Sequence, residues 1–440
     1  MGIVVLGLAL GFASTAEAFG FALLALGGAT ALLALVVGVW ALGGLAKALV
    51  FGAAFTVSMI SFRVGAEVTL ADTFLGVAFV LVLALSIGKY SNQLSRAAGM
   101  RWHFPVVVLV LLVVVGGLGG TFSASDQTRS LAELGRFAAS SVVVVLLFWL
   151  WAPSKSTLRQ ICWVLVLGAS TNAVLSLFLE RFGDRAMGLS GHPNHLALAC
   201  SLAIGVTLGL TFSSPSLGRQ TFLAVCLAAL GVAVIESGSR AALVGSVVTI
   251  AAFLVVTRRW TLIAMGAAAA GFASIAIYLN WFAIGELNAV NRMQGDLSAA
   301  ASDRIRGEMA QEAVDIILLN PVVGSGFQSA KAAHSIYLQL WASAGFLGLV
   351  FAVGLVVITV RMLLTAGQRS DLLAIGLASS YVGYLTAGAV SNILWDRYVW
   401  LHLAVLLTLI ATRDETKELA EARSGRAFLG NANVPRQRRR

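Results

Sequence analysis

From its first residues to about residue 412 the chain is a succession of apolar runs, most of them close to the ~20 residues that a helix needs to cross the hydrocarbon core of a bilayer. A backbone in lipid must satisfy its own hydrogen bonds, which makes the α-helix the natural form for each run. The runs fall at about 2–14, 20–44, 46–61, 70–88, 103–120, 137–152, 160–178, 194–212, 220–236, 239–257, 261–281, 335–360, 371–392 and 397–412. The first is short and the 220–257 pair is tightly joined, so 12–14 transmembrane helices are expected. Only 11% of the 440 residues are charged and 59% are hydrophobic, whereas a soluble domain carries roughly 25% charged residues. The expected fold class is therefore all-α: a polytopic helical membrane protein with one large extracytoplasmic loop containing short helices. The 45 glycines suit close helix packing in lipid. Ala16-Glu17-Ala18 has the form of a signal-peptidase site, but residues 2–14 lack a basic flank and read as a first membrane segment.

Basic residues orient the bundle. With the C-terminal tail inside, the inner loops take Lys47, Lys89, Arg96, Arg101, Lys155, Arg159, Arg219, Arg258, Arg259, Arg361 and Arg369. The tail adds eight more, giving 19 basic residues inside against 11 outside, while the acids divide 5 inside and 15 outside. Lysine and arginine accumulate on the cytoplasmic side, so segment 283–334 faces outward. Of the net charge of +10 the tail supplies +4, eight basic residues less four acidic; a basic tail beside a membrane implies contact with anionic lipid rather than nucleic acid. Three parts follow: N-terminal membrane helices over 1–179, a core over 180–412 containing the outer loop 283–334, and a basic cytoplasmic tail over 413–440. Cys162, Cys200 and Cys226 lie inside apolar runs with no metal-binding spacing, and read as small buried hydrophobes. No metal or cofactor motif is present; His192 and His195, three residues apart, lack a third ligand.

Segment 283–334 is the one long polar interval between apolar runs. Within it "SDRIRGEMAQEAVDIILL" reads as a helix capped by Ser302, with Ile305, Met309, Ala313, Ile316 and Ile317 at helical spacing and Asn320-Pro321 as its stop. A Gly324-Ser325-Gly326 turn follows, and His334 stands at the mouth of the next apolar helix. Two more polar clusters fall on the same outer face. One is "ERFGDRAMGLSGHPNHLALA", with Arg181, Arg185, His192, Asn194 and His195; the other is "IESGSRAALVG", with Arg240 at a helix start and Glu236 four residues earlier as its expected partner. His103, near an inner helix end, reads as interfacial, and His402 as bonded to a neighbour inside the last helix.

Arginines at a membrane surface grip phosphate through two parallel hydrogen bonds. An enzyme with a lipid-diphosphate donor needs such a clamp for its leaving group and a base for the acceptor hydroxyl. His334 is a candidate base, because a helix N-terminus and nearby arginines hold an imidazole neutral. Arg185, Arg240 and His334 are accordingly expected to meet on the outer face.

The three clusters, in this order, resemble the O-antigen ligase and O-antigen polymerase family of bacterial membrane glycosyltransferases. The matching segments are "GHPNHLA" after Arg185, "SGSRAALVG", and an arginine-bearing helix followed by "NPVVGSGF" and "HSIYLQLWASAGFLGL". Together they span about residues 180 to 360. Two departures stand out: Ser335 replaces the family's usual asparagine after the loop histidine, and Met309 stands where an aromatic residue is often found in the loop helix.

The resemblance implies a multi-pass protein of the bacterial inner (cytoplasmic) membrane, working at its outer, periplasmic or extracellular face. It implies an inverting, metal-independent transfer with no cofactor, from an undecaprenyl-diphosphate-linked glycan to an acceptor hydroxyl on lipid A-core or another glycan or lipid anchor. Carried over by motif, Arg185 and Arg240 bind the diphosphate with Arg304 or Arg306 assisting. His334 is the catalytic base or orients the acceptor, and His192, Asn194, Gly324, Gly326 and Tyr337 are possible acceptor or loop contacts. A polymerase joining lipid-linked repeats is the nearest alternative. A lipid-linked glycan flippase or transporter is a second, although the nearly charge-free mid-helix regions and one-sided polar clusters favour an interfacial enzyme.

Overall fold

The computed structural model describes residues 42–64, 68–88, 93–179, 181–259, 289–293, 297–327, 333–391 and 396–412. The expected spans at 2–14 and 261–281, nearly all of 20–44, and the tail lie outside these residues. The described chain is helical: α1 (Leu42–Thr56), α2 (Leu70–Gly88), α3 (Gln93–Thr121), α4 (Gln127–Trp151), α5 (Lys155–Leu175), α6 (Pro193–Phe212), α7 (Leu217–Glu236) and α8 (Arg240–Val256), then α9 (Ala289–Met293), α10 (Leu297–Leu319), α11 (Ile336–Gln368), α12 (Leu372–Gly388) and α13 (Arg397–Thr412). Among the described residues six helices are long and apolar enough to cross a membrane, and five shorter apolar helices accompany them. The protein is a polytopic all-α membrane protein.

Three boundaries differ from the sequence expectation. Residues 127–136 are helical, where an outer loop was expected. Asp126 caps α4 by accepting from the Arg129 amide at 2.9 Å, and Leu134 and Phe137 are buried on its apolar face. The polar residues between them conceal the helix from a search for long apolar runs. A five-residue π-turn at Ala139–Val143 joins this stretch to the apolar half of α4. Second, α10 begins at Leu297, so Ser302 lies inside the helix and does not cap it. Third, α11 runs to Gln368 but breaks at Gly345, whose φ of 59° and ψ of −146° are non-helical. The strand-like loop after α10 fills that break: Ser325 and Gly326 amides donate to the Ala342 and Ser343 carbonyls (2.8 and 3.1 Å), and the Phe346 amide donates to Val322 (3.0 Å). Backbone groups freed by a broken helix are thus satisfied by a neighbouring segment, as burial requires.

The core forms around α12, which is wedged between α6 and α8. A Cβ on Gly205 of α6 would meet the Gly376 carbonyl of α12, and one on Gly245 of α8 would meet that of Gly383. These small residues let backbones approach closely where lipid offers no hydrophobic drive, and the Ser380 hydroxyl of α12 donates across to the Leu202 carbonyl at 2.7 Å. Cys162, Cys200 and Cys226 are free and buried. His103 is buried, not interfacial, with Nε2 3.1 Å from the Thr408 hydroxyl. His402 Nδ1 meets the Tyr398 carbonyl within its own helix.

Alternating helices give the bundle two chemically distinct ends. At one, Lys155 pairs with Asp371 (2.9 Å), Arg159 donates to Ser213 and Arg369 to the Ile410 carbonyl. The other end carries Arg185, His192, Arg240, α10, His334 and Asp396. The connection from α5 to α6 here is not plain loop. It holds a two-residue antiparallel hairpin, with Arg181 opposite Ala186 and Phe182 opposite Arg185, turning at Gly183 and Asp184. A 3-10 turn follows at Gly188–Ser190. Asn172 of α5 locks this turn: its Nδ2 donates to the Ser58 carbonyl and to Ser190 Oγ, both at 2.9 Å, and its Oδ1 accepts from the Leu189 amide at 2.8 Å.

Candidate functional site

The hairpin carries Arg185 toward the α7–α8 link. Arg185 on its second strand donates Nε to the Ser237 carbonyl (2.7 Å) and a terminal nitrogen to Asn194 Oδ1 (2.9 Å). The next carbonyl along, Gly238, accepts from Arg292 of α9 at 2.8 Å. The short α7–α8 link therefore holds two guanidiniums through consecutive backbone oxygens and delivers a third, Arg240, at the first residue of α8. Arg306 of α10 completes the group. Burial, then repulsion from Arg292 and Arg306, lowers Arg185 to about 10. Arg306 is lowered by burial and by Arg240. Arg292 and Arg306 thus lie near enough to act on Arg185, and Arg240 and Arg292 near enough to act on Arg306.

Among the described residues the Asp303 carboxylate answers two of them. Asp303 of α10 takes a two-pronged bond from Arg240, one prong at 2.9 Å, and lies 3.8 Å from Arg306. Arg240's hydrogen bond holds the Asp303 carboxyl below its ordinary range. The expected Glu236–Arg240 pair is not formed. Glu236 instead pairs with Arg181 at 2.8 Å, tying α7 to the hairpin. Arg304 also stands apart, 83% exposed and paired with Glu308 one turn along α10. The helical spacing puts Arg306 on the side of α10 that faces Arg240 and leaves Arg304 in solvent.

Three histidines border the arginines. His192 caps α6, its Nδ1 accepting from the Asn194 amide at 3.1 Å. Burial, followed by His195, Arg185 and His334, lowers it to about 4, so it is neutral and sits among all of them. His334 is half-buried with a positive φ of 45°, and burial and Arg306 lower it as well. His195, one helical turn into α6, packs edge-on against His192 with ring centroids 5.8 Å apart. Its Nδ1 lies 2.8 Å from the Asp396 carboxylate.

Arg185, Arg240, Arg306, His192 and His334 thus stand at the same end of the bundle. Arg292 and Asp303 were missed: Arg292 sits beside no recognisable motif, and Asp303, inside the loop helix, has its partner Arg240 63 residues away. Asn194 acts on Arg185 rather than standing free. Gly324 and Gly326 do not form an open anion cradle: their amides donate to Asn320 and Ser343, and a Cβ on Gly324 would strike the Ser343 carbonyl. The Tyr337 hydroxyl is committed to the Leu385 carbonyl at 2.7 Å, and Ser335 caps α11 through the Leu338 amide. α10 itself is seated by Ala313 and Ile317, buried, with Ile317 packed on Ala342 of α11.

Residues 224–353 match the family model described as O-antigen ligase. That segment contains Arg240, Arg292, Asp303, Arg306 and His334, whereas Arg185, His192, His195 and Asp396 lie outside it. No curated protein matches the chain. The match covers less than a third of the chain and shows that this segment is similar to that family.

Proposed function

We propose that the protein is a membrane glycosyltransferase that moves a glycan from an undecaprenyl-diphosphate donor to an acceptor hydroxyl on lipid A-core or another anchor. The work is done at the outer face of the bacterial inner membrane. The observation that carries this reading is the meeting of Arg185, Arg240, Arg292 and Arg306 beside neutral histidines at one end of an apolar bundle. A diphosphate leaving group develops negative charge as the glycosidic bond breaks, and fixed guanidiniums aimed at that charge stabilise it without reorganising. They supply the positive charge that a metal ion gives in other transferases, so the transfer is metal-independent and needs no cofactor. Arg240 and Arg306 approach from different elements, and Asp303 occupies their fork in the way a phosphate oxygen pair would.

The step is a single displacement. The acceptor oxygen attacks the anomeric carbon from the face opposite the diphosphate, the carbon–oxygen bond to the diphosphate breaks, and the electron pair leaves with the phosphate. Configuration at that carbon inverts. His334 contacts the acceptor, orienting its hydroxyl or taking its proton. Arg304 stays outside the clamp.

The test is transfer by purified protein in the presence of chelator, with an undecaprenyl-diphosphate glycan and lipid A-core as acceptor. Anchored product from wild type, lost in His334→Ala, is the expected result. Longer lipid-linked glycan would make the protein a polymerase. No product from either acceptor, with glycan lipid crossing liposomes instead, would leave a flippase.

A further inference from the structure

We propose that His195, backed by Asp396 and Tyr398, is the proton acceptor for the attacking hydroxyl. The inference rests on the transfer reading above and names its base. Of the three histidines at the arginine cluster, His195 is the one with a carboxylate behind its ring. Asp396 precedes α13, and its side chain is 7% exposed against 33% for that of His195. Its Oδ2 accepts from the Tyr398 hydroxyl at 2.7 Å and lies 2.8 Å from His195 Nδ1. A carboxylate oxygen can only accept, so Nδ1 carries the hydrogen and the lone pair of the ring falls on Nε2. Among the described residues Nε2 bonds no protein group, and the ring stands against His192, at the edge of the arginine cluster.

The other two histidines suit different work. His192 Nδ1 accepts from the Asn194 amide, which fixes its proton on Nε2 and makes that nitrogen a donor. A base must also be stabilised once it is charged, and the imidazolium of His192 is opposed by burial and by its cationic neighbours. The same holds for His334, where burial and Arg306 work against the charged form. His195 has the reverse arrangement: a buried carboxylate holds its orientation and its tautomer and neutralises the imidazolium as it forms, the job an aspartate does behind a catalytic histidine generally. Burial alone would push the Asp396 carboxyl up, but His195, the Tyr398 hydroxyl and Arg397 bring it below its ordinary value. Proton balance is then complete. The hydroxyl proton passes to His195 Nε2 as the new glycosidic bond forms, the diphosphate leaves with the old bond's electrons, and the imidazolium returns its proton to water. His334 is left to orient the acceptor, and Asp396 is a positioning residue.

The experiment is the same undecaprenyl-diphosphate transfer to lipid A-core by the full chain, run from pH 5 to 9 with H195A, H195Q and D396N. Size-exclusion profile and melting temperature report folding. A general base is worth about 10²–10⁴ in rate, so H195A is expected to lose at least ~100-fold in kcat with donor KM nearly unchanged. Added imidazole restores part of that loss. In D396N the acid limb of the kcat profile moves to lower pH, because the histidine loses the anion that favours its protonation. H195Q keeps the side chain's bulk and polarity and serves if H195A does not fold. Wild-type rate in either His195 variant overturns the proposal. So does a slower D396N whose acid limb has not moved, which would make the pair a structural brace. A wild type that makes no product sinks the transfer reading itself, and the base with it.

Discussion

Replacing Arg240 with lysine keeps the charge and removes the fork, which separates a phosphate ligand from a charge that merely reaches for headgroups. The guanidinium shows its geometry already, since both terminal nitrogens engage the two oxygens of Asp303. A phosphate offers the same oxygen pair. Lysine can place one donor where arginine places two, so the variant forfeits one charge-assisted bond, worth about 1.5–3 kcal/mol. At ~1.36 kcal/mol per factor of ten, kcat/KM for the undecaprenyl-diphosphate donor should fall roughly tenfold to 150-fold. Initial rates at several donor concentrations, with chelator, give that number directly. Asp303→Asn supplies the control. The pair has a half-exposed carboxylate, 51% against 22% for the arginine, and exposed pairs contribute about 0.2–1 kcal/mol. Losing it should therefore change donor KM by no more than about fivefold. An Arg240→Lys enzyme with wild-type kcat/KM would refute the claim that this arginine holds a diphosphate.

Two further outcomes follow from the architecture around the arginines. Asn172→Ala removes three hydrogen bonds that anchor the turn ahead of His192 and leaves buried groups unpaired, at about 1–3 kcal/mol for each; the melting temperature should drop and transfer should fall even though Asn172 touches no substrate. His192 titrates near 4 in the folded protein against an ordinary value near 6.5. The unfolded chain therefore gains this proton first on acidification. The stabilising contribution is complete above about pH 6.5 and is lost as pH falls toward about 4, with a limiting slope of ~1.4 kcal/mol per pH unit that solvent screening reduces. Melting curves between pH 4 and 7 should flatten in His192→Gln; an unchanged pH dependence would remove His192 as the titrating group.

What the sequence made legible follows from where its signals are local. Apolar runs report helices because burial in lipid is uniform along them, and most of the expected spans within the described residues are found. The first turns of α4, residues 127–136, escaped because they are amphipathic, hiding Leu134 among Ser, Glu and Arg. The apolar run of α11 ends before Arg361 while the helix continues, because an arginine near a helix end can lie over an aromatic ring, here Trp102 at 5.1 Å. Charge partners were read by proximity in sequence, which put Glu236 on Arg240. The fold pairs Glu236 with Arg181, 55 residues away, and Arg240 with Asp303, 63 away. The His195–Asp396 contact spans 201 residues and has no local signature at all. Arg240 and His334 were reachable because each stands at the edge of an apolar run, where a charge is conspicuous, and Arg185 through the polar cluster ahead of "GHPNHLA". Arg292 stands inside a polar interval and is not.

The arginine group has an energetic consequence of its own. Clustered cations oppose folding, as burial and then repulsion from Arg292 and Arg306 bring Arg185 down to about 10, and a protein gains little stability from buried charge held in this way. Asp303 relieves part of the repulsion from one side. A polyphosphate anion would relieve more, so the folded protein should bind one even without a lipid tail. Inorganic pyrophosphate is the minimal probe. At 100 times its dissociation constant a ligand that binds only the folded state adds about 2.7 kcal/mol, a rise in melting temperature that differential scanning fluorimetry resolves. Sulfate at matched ionic strength controls for general salt effects, and Arg185→Ala together with Arg306→Ala should abolish the rise. If pyrophosphate left the wild type unmoved, or stabilised the double variant equally, the arginines would not form an anion site, and their shared location would need a different physical reason.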